Sequence, residues 1–289
     1  MENIKVKKYS GELVDFDIEK LRVSLQRTKA SDALIQNIIE SVKSKIFDGI
    51  STRKIYQMAF NMLNKSRSKS NASRYKLKKA IMELGPSGFP FEKFVAAIIK
   101  EEGYQTEVGV IVQGACVTHE VDVVAKTDHK HIMVECKYHN HQGRVNDIKI
   151  PLYIQSRFLD IEKQHHEVEG KNRFFHQQWI YTNTRFSSEA IKFSECMGLK
   201  LISWDYPFNK GLRVQIDKYG LYPITALTTL SKKDKEKLLD KGYVLCRDVC
   251  DNPDILTEVG IERSKHKKIM QNTKELSDYY DNNHPKKNN

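Results

Sequence analysis

The sequence predicts an α/β core set between two mainly helical segments, and three observations lead there. Between residues 105 and 138 apolar and polar residues alternate with the period of half-buried strands. From 178 to 204 a strand, a helix and a strand succeed one another at the spacing of a parallel crossover. On both sides of this region apolar residues recur every three or four positions, and the breaker clusters at 85–88 and 251–253 interrupt the chain.

The first segment, 1–85, opens with two short runs, 4–8 and 12–16, across Ser10-Gly11, a β-hairpin pattern. Asp17 can cap a helix in which Ile18, Leu21 and Leu25 share a face. A second helix is expected over 33–47, with Leu34, Ile38, Val42 and Ile46 four apart and Asp48-Gly49 as its stop. Ser51 or Thr52 caps a third, carrying Ile55, Met58, Ala59 and Met62, and a fourth follows from about Asn71. Gly85-Pro86-Ser87-Gly88 then marks a domain boundary.

The second segment, 88–220, starts with a helix over 91–101 whose stripe is Phe91, Phe94, Val95 and Ile98. Strands are expected near 105–113, 117–125 and 131–138, and Pro151 suits the first turn of a helix over 152–163. A strand at 178–181, a helix over 187–197 closed by Gly198 and a strand at 199–204 complete it. The third segment, 221–275, reads as short helices, with Gly260-Ile261 leading into a basic helix that holds Lys265, Lys267 and Lys268. The tail, 276–289, carries Pro, Lys and Asn with no apolar anchor at its end and is expected to be disordered.

At ~100–200 residues per domain, 289 residues suggest two or three domains, and 39% hydrophobic residues suffice for packed cores. The longest apolar run, 94–99, is far short of the ~20 residues of a membrane span, so no membrane partner is expected. Five cysteines suit a reducing cytoplasm better than a disulfide framework, and the first residues lack an export signal's layout. The net charge of +11 is uneven: residues 1–85 carry 18 Lys and Arg against 9 Asp and Glu, whereas residues 86–220 balance. No acid lies between Asp48 and Glu83, and Lys65, Arg67, Lys69, Arg74, Lys76, Lys78 and Lys79 crowd the end of that gap. Such a run suits either a polyanionic partner or a solvated helix face.

The sharpest chemical pattern spans two neighbouring strands. In His131-Ile-Met-Val-Glu-Cys-Lys-Tyr138, alternation puts Ile132, Val134, Cys136 and Tyr138 on one face and Glu135 with Lys137 on the other. Upstream, Val117, Val121 and Val123 are expected to face one way and Glu120 and Asp122 the other. Charges on a mainly buried strand are costly unless paired or bound to a metal. The pattern therefore reads either as a catalytic site or as a Lys137 ion pair with Glu135 or Asp122 on a solvated sheet face.

Asp122 followed by Glu135-Cys136-Lys137 resembles the D…ExK core of the restriction-endonuclease-like nucleases. Phe91-Glu92-Lys93-Phe94, His119-Glu120-Val121-Asp122-Val123-Val124, the turn Thr182-Asn183-Thr184-Arg185-Phe186-Ser187-Ser188-Glu189-Ala190 and Leu199-Lys200-Leu201-Ile202-Ser203-Trp204 narrow the likeness, over 88–207, to the Mrr-like branch. The resemblance implies a mixed sheet flanked by helices and metal-dependent hydrolysis of double-stranded DNA. Mg²⁺ or Mn²⁺ would sit on Asp122 and Glu135, with the Cys136 carbonyl as a further ligand. Lys137 would orient or deprotonate the attacking water, and Glu92 would reach the metal through water or else be a surface acid at a helix start. His139, Arg144 and Lys149, in the polar stretch that follows, are expected to touch DNA. Duplex cleavage usually takes two active sites, which makes a homodimer plausible. Such an architecture suits defence against foreign DNA; the alternative is a non-catalytic, nucleotide-responsive DNA-binding regulator that keeps the fold.

Val6-Lys7-Lys8-Tyr9-Ser10-Gly11, Phe16-Asp17-Ile18-Glu19-Lys20 and Asp48-Gly49-Ile50-Ser51-Thr52 resemble, over 3–84, the ATP-cone, a regulatory nucleotide-binding module. It implies ATP or dATP as an effector held by Lys8, Tyr9, Gly11, Lys20 and Thr52, with Asp17 near the adenosine. The last segment looks like a helix-hairpin-helix relative, with Gly260 and Lys265 as DNA-phosphate contacts or with a purely structural or dimerising role. Cys246 and Cys250 lack a second cysteine pair and read as buried thiols rather than a zinc site, and Ser187 reads as a helix cap.

Overall fold

The computed structural model describes residues 4–8, 10–167 and 175–283. In the N-terminal unit, β1 (Lys5–Lys7) and β2 (Leu13–Asp15) form the expected antiparallel hairpin. Helix α1 (Ile18–Gln26) starts where the Asp17 carboxylate accepts the N–H groups of Glu19 and Lys20. Helix α2 (Asp32–Lys43) ends four residues short of the expected end at 47, and the turn that follows carries the chain back to β3 (Ile50–Ser51), which lies parallel to β1. Ser51 caps α3 (Thr52–Lys65) by accepting the N–H of Lys54.

The expected fourth helix is two: α4 (Lys69–Tyr75) and α5 (Leu77–Met82). They divide because they serve different cores. Ala72 and Tyr75 pack with Leu25, Ile38, Ile39 and Leu63 in the N-terminal unit. Leu77, Ile81 and Leu84 instead join Phe91, Phe94 and Ile98 in the central core, which runs without interruption across the 85–88 break.

Helix α6 (Phe89–Glu101), with Pro90 in its first turn, covers one face of a five-stranded sheet. Three antiparallel strands, β4 (Gln105–Gln113), β5 (Thr118–Lys126) and β6 (His131–Lys137), make its first half. After β7 (Val145–Asn146) and α7 (Lys149–Glu167) comes β8 (Gln177–Thr182), parallel to β6. Strand β9 (Arg185–Phe186) pairs with β7, and α8 (Ser188–Met197) is capped by Ser187 and closed by Gly198 at φ +75°. Strand β10 (Lys200–Ile202) then lies parallel to β8, the predicted crossover. The order is β10-β8-β6-β5-β4. Val123, Ile132, Val134 and Tyr181 face α6, while Met133, Ile180 and Leu201 pack against Ile154, Phe158 and Ile161 of α7.

The C-terminal segment is helical, as expected. Helices α9 (Leu212–Tyr219), α10 (Lys232–Asp240), α11 (Cys246–Asp251), α12 (Ile255–Glu258) and α13 (Arg263–Asn283) pack onto the central core through Leu212, Leu238, Val249, Leu256 and Leu276. The disorder expected for 276–289 does not extend over 276–283. Fully buried Leu276 anchors the end of α13; residues 284–289 lie outside the described residues. Helix α13 also meets α4, where Arg74 donates to the Glu275 carbonyl at 2.9 Å and Ser68 to the Glu275 carboxylate at 2.9 Å.

Candidate active site

The site begins where two strands part. β5 pairs with β6 only over Val123–Lys126, whereas β6 continues alongside β8 to Lys137. The Cys136 N–H is thereby left without a β5 partner, and the Asp122 carboxylate accepts it at 2.7 Å. The face expected to be shared by Val121 and Val123 breaks at this residue: Val121 packs with the α7-side core and Val123 with the α6-side core. Across the ladder, between the pairs Val108–Val123 and Val110–Val121, stands Gly109 at φ +67°, a conformation that only glycine adopts at little cost.

Glu135 is only 3% exposed. Lys137, two residues on along the same face, pairs with one of its carboxylate oxygens. The Arg157 guanidinium of α7 meets the other at 2.7 Å and also donates to the Glu120 carbonyl. The Lys137–Glu135 ion pair considered from the sequence is therefore present, but it is buried and shared with Arg157 rather than laid on a solvated face. A carboxylate this deep is tolerable because two cations meet it.

Asp122 and Glu92 feel the opposite pressure. Burial, and then the Glu135 charge, raise the Asp122 carboxyl above the usual range against the Cys136 N–H, Lys137 and Arg157. Burial likewise pushes Glu92, on α6, up to about 7, with Asp122, Glu120 and Glu135 adding to the effect and Lys137 opposing it. The four sequence-predicted residues Glu92, Asp122, Glu135 and Lys137 thus share one electrostatic neighbourhood. Crowded carboxylates that resist ionising are a donor set suited to a hard divalent cation, which would relieve their repulsion. Among the described residues no three His, Cys, Asp or Glu side chains form a cage able to hold a metal by themselves. A cation there would take one or two carboxylates and complete its shell with water and phosphate oxygen, the habit of Mg²⁺.

Around this cluster lies a buried polar network. Asn146 donates to Thr182, Thr184 and the Arg185 carbonyl, each at 3.1 Å, and its side-chain oxygen accepts from the His139 ring at 2.9 Å. The Asn183 side chain accepts the His139 N–H at 2.9 Å. His139 is thus held as part of the scaffold, while Arg144 stands exposed on the loop that follows and Lys149 stands exposed at the start of α7. Arg157 and, His139 apart, this network were not singled out in the sequence. Arg157 carried a signal, since it falls on the buried stripe of Ile154, Phe158 and Ile161. The Asn146 network had none beyond the polar run 182–184.

The residues expected to hold nucleotide lie apart from the cluster. Lys8 pairs with Glu12 at 3.0 Å, Lys20 with Asp17 at 3.5 Å, and Asp17 is occupied in capping α1. Gly11 forms the hairpin turn at φ +89°, Thr52 is the first residue of α3, and Tyr9 lies outside the described residues. In the C-terminal segment Gly260 turns the chain at φ +69° between α12 and α13, and Lys265 lies 3.9 Å from Asp234. Cys246 is buried with its thiol toward the Pro223 carbonyl, as expected, whereas Cys250 is only half-buried, with its thiol toward the Ser277 hydroxyl.

Comparison with known proteins bears on the same residues. The restriction endonuclease family Mrr_cat matches residues 85–152, a span that holds Glu92, Asp122, Glu135 and Lys137. The family described as AF1548-like, C-terminal, matches residues 222–277. An uncharacterised protein of Archaeoglobus fulgidus is 39% identical over 183 residues, which are 63% of this chain and 99% of that protein. A solved structure, described as a protein of unknown function, AF1548, is 38% identical. It aligns with a TM-score of 0.55 over 67% of this chain and 100% of its own.

Proposed function

Because the chain belongs to the AF1548-like family and carries a restriction endonuclease domain across its candidate site, we propose that it is a metal-dependent endonuclease hydrolysing phosphodiester bonds in DNA. The observation that carries this reading is the convergence of Asp122, Glu135 and Lys137 where β5 and β6 part. Asp122 and Glu135 would hold Mg²⁺ or Mn²⁺, which supplies an activated water and charge compensation on the scissile phosphate. Lys137, whose side chain is 30% exposed, would swing its ammonium from Glu135 toward the attacking water or a phosphate oxygen. Arg157 holds Glu135 in place, and Glu92, whose carboxyl burial pushes up to about 7, would pass a proton. Arg144 and Lys149 supply phosphate contacts beside the site, with Gly260 and Lys265 a second set.

The N-terminal unit is read as regulatory, with ATP or dATP as effector; its support is the likeness of 3–84 to the ATP-cone, and the setting that fits is defence against foreign DNA. Among the described residues no helix is long and apolar enough to cross a membrane. Nicking of supercoiled plasmid with Mg²⁺ or Mn²⁺ tests the reading. Wild type is expected to nick, and Asp122→Asn to fall to the metal-free background. Equal nicking by both would leave the non-catalytic DNA-binding regulator as the better account.

A further inference from the structure

A cavity of about 670 Å³ lies between the N-terminal helices and the catalytic unit. Its size falls within the ~300–1,000 Å³ of ordinary small-ligand sites. Arg27 of α1's end, Arg53 of α3, Lys78 of α5 and Arg213 of α9 line it, cations from four separate elements. The acids in its wall are already engaged: Glu83 by Lys76 at 2.7 Å and Lys79 at 3.7 Å, and Asp217 by the Tyr222 hydroxyl at 2.9 Å.

Three aromatic rings share the cavity. Tyr56 and Tyr75 stack with centroids 4.9 Å apart and planes 10° from parallel, and Lys78 sits 5.7 Å over the ring of Trp204. The Tyr56 hydroxyl is buried without a hydrogen-bond partner among the described residues. Thr52 and Gln57 of α3 also line it, and so do Asn140, His141 and Gln142, which begin three residues after Lys137 in the chain. Three residues span at most ~11 Å, which bounds the separation of Asn140 from Lys137 along the backbone.

We propose that this cavity takes an unpaired nucleotide of the strand that runs to the catalytic residues, so that DNA with a flap, bulge or overhang is preferred over continuous duplex. Cations track the backbone and rings stack on a base, the combination by which proteins hold single strands. Stacked base pairs of an intact duplex offer no free face to Tyr56 or Tyr75, whereas an extruded base does. The N-terminal unit then contributes a substrate wall, beyond the regulatory role read for it above. The inference rests on the nuclease reading for its biological meaning, but not for its measurement.

The test is binding of full-length protein, without divalent metal, to fluorescently labelled 20-base-pair duplex and to the same duplex with a six-nucleotide overhang. The overhang is expected to bind at least about tenfold more tightly. Arg53→Ala combined with Lys78→Ala, both at exposed positions, should erase that preference while leaving duplex binding within about threefold and the thermal midpoint unchanged. Lys8→Ala combined with Lys20→Ala should leave the preference intact. Equal affinity for the two DNAs, or a preference that survives Arg53→Ala with Lys78→Ala, overturns the proposal. So does tight binding of free ATP that the overhang fails to displace and that this pair of substitutions abolishes, which would make the cavity an effector site. Plasmid nicking without an overhang preference refutes this inference alone, and an overhang preference without cleavage of the overhang DNA in Mg²⁺ or Mn²⁺ refutes the nuclease reading alone.

Discussion

Lys137 and Arg157 both meet Glu135, yet they should fail differently when removed. Lys137→Ala takes away a cation that reaches solvent, so DNA binding should change by no more than a few fold, one contact among many. Cleavage should fall by roughly 10²-fold or more, the usual loss for a group acting in the transition state. Parallel losses in filter binding and in plasmid nicking would mark it as an ordinary phosphate contact. Arg157→Ala strips one of two partners from a carboxylate that is 3% exposed. Breaking a buried pair costs about 3–5 kcal/mol, and with Lys137 still in place the lower end, about 3 kcal/mol, is expected in urea denaturation. Glu92 gives a pH signature. Its carboxyl is raised from 4.5 to about 7 in the folded state, so between those values the folded chain binds more protons than the unfolded one. Stability should therefore fall as pH rises through that window in metal-free buffer. Glu92→Gln should flatten the fall. An unchanged slope in the urea midpoint between pH 4.5 and 8 would show that Glu92 does not titrate there.

Strand β4 runs over the very residues, 105–113, that its alternation implied, because an edge strand half open to solvent keeps polar and apolar residues strictly apart. The central strands β5 and β6 were located to within a residue or two, but the facing of Val121 against Val123 was not legible. Alternation assumes a straight strand, and β5 changes face at Asp122, opposite the left-handed Gly109. Gly109→Ala tests that device. Nothing stands within 4 Å of an added Cβ, so the cost is backbone strain alone, about 1–2 kcal/mol, read from thermal unfolding. If the kink positions Asp122, nicking should drop further than this loss of stability explains. Arg157 was hidden for a related reason: periodicity shows which helix face is buried, not which buried position meets a charge on a distant strand. The two-residue strand β3 is too short to have a period, and the division of α4 from α5 depends on two cores that no local pattern reveals.

At the scale of the molecule the Gly-Pro-Ser-Gly cluster proved a poor guide to where packing ends. Leu77, Ile81 and Leu84 before it, and Leu221, Ile224, Leu238 and Leu276 far after it, belong to one core with Phe91 and Trp179. A chain limited to 88–220 is therefore expected to aggregate or to lack fixed tertiary packing in near-ultraviolet circular dichroism. A chain of 76–283, which keeps α5 and the C-terminal helices, should unfold cooperatively; cooperative unfolding by both would show that the shared core is dispensable. The same arrangement sets a clock on synthesis. Residues nearly two hundred positions apart must meet before the wall behind Asp122 and Glu135 is finished, and a ribosome adds only ~5–20 residues per second. For roughly seven seconds or more after Lys137 is made, the nascent chain carries the acids and the lysine without the packing that fixes them. Hydrolytic power of the kind proposed would be withheld from each new molecule until Leu276 has left the ribosome.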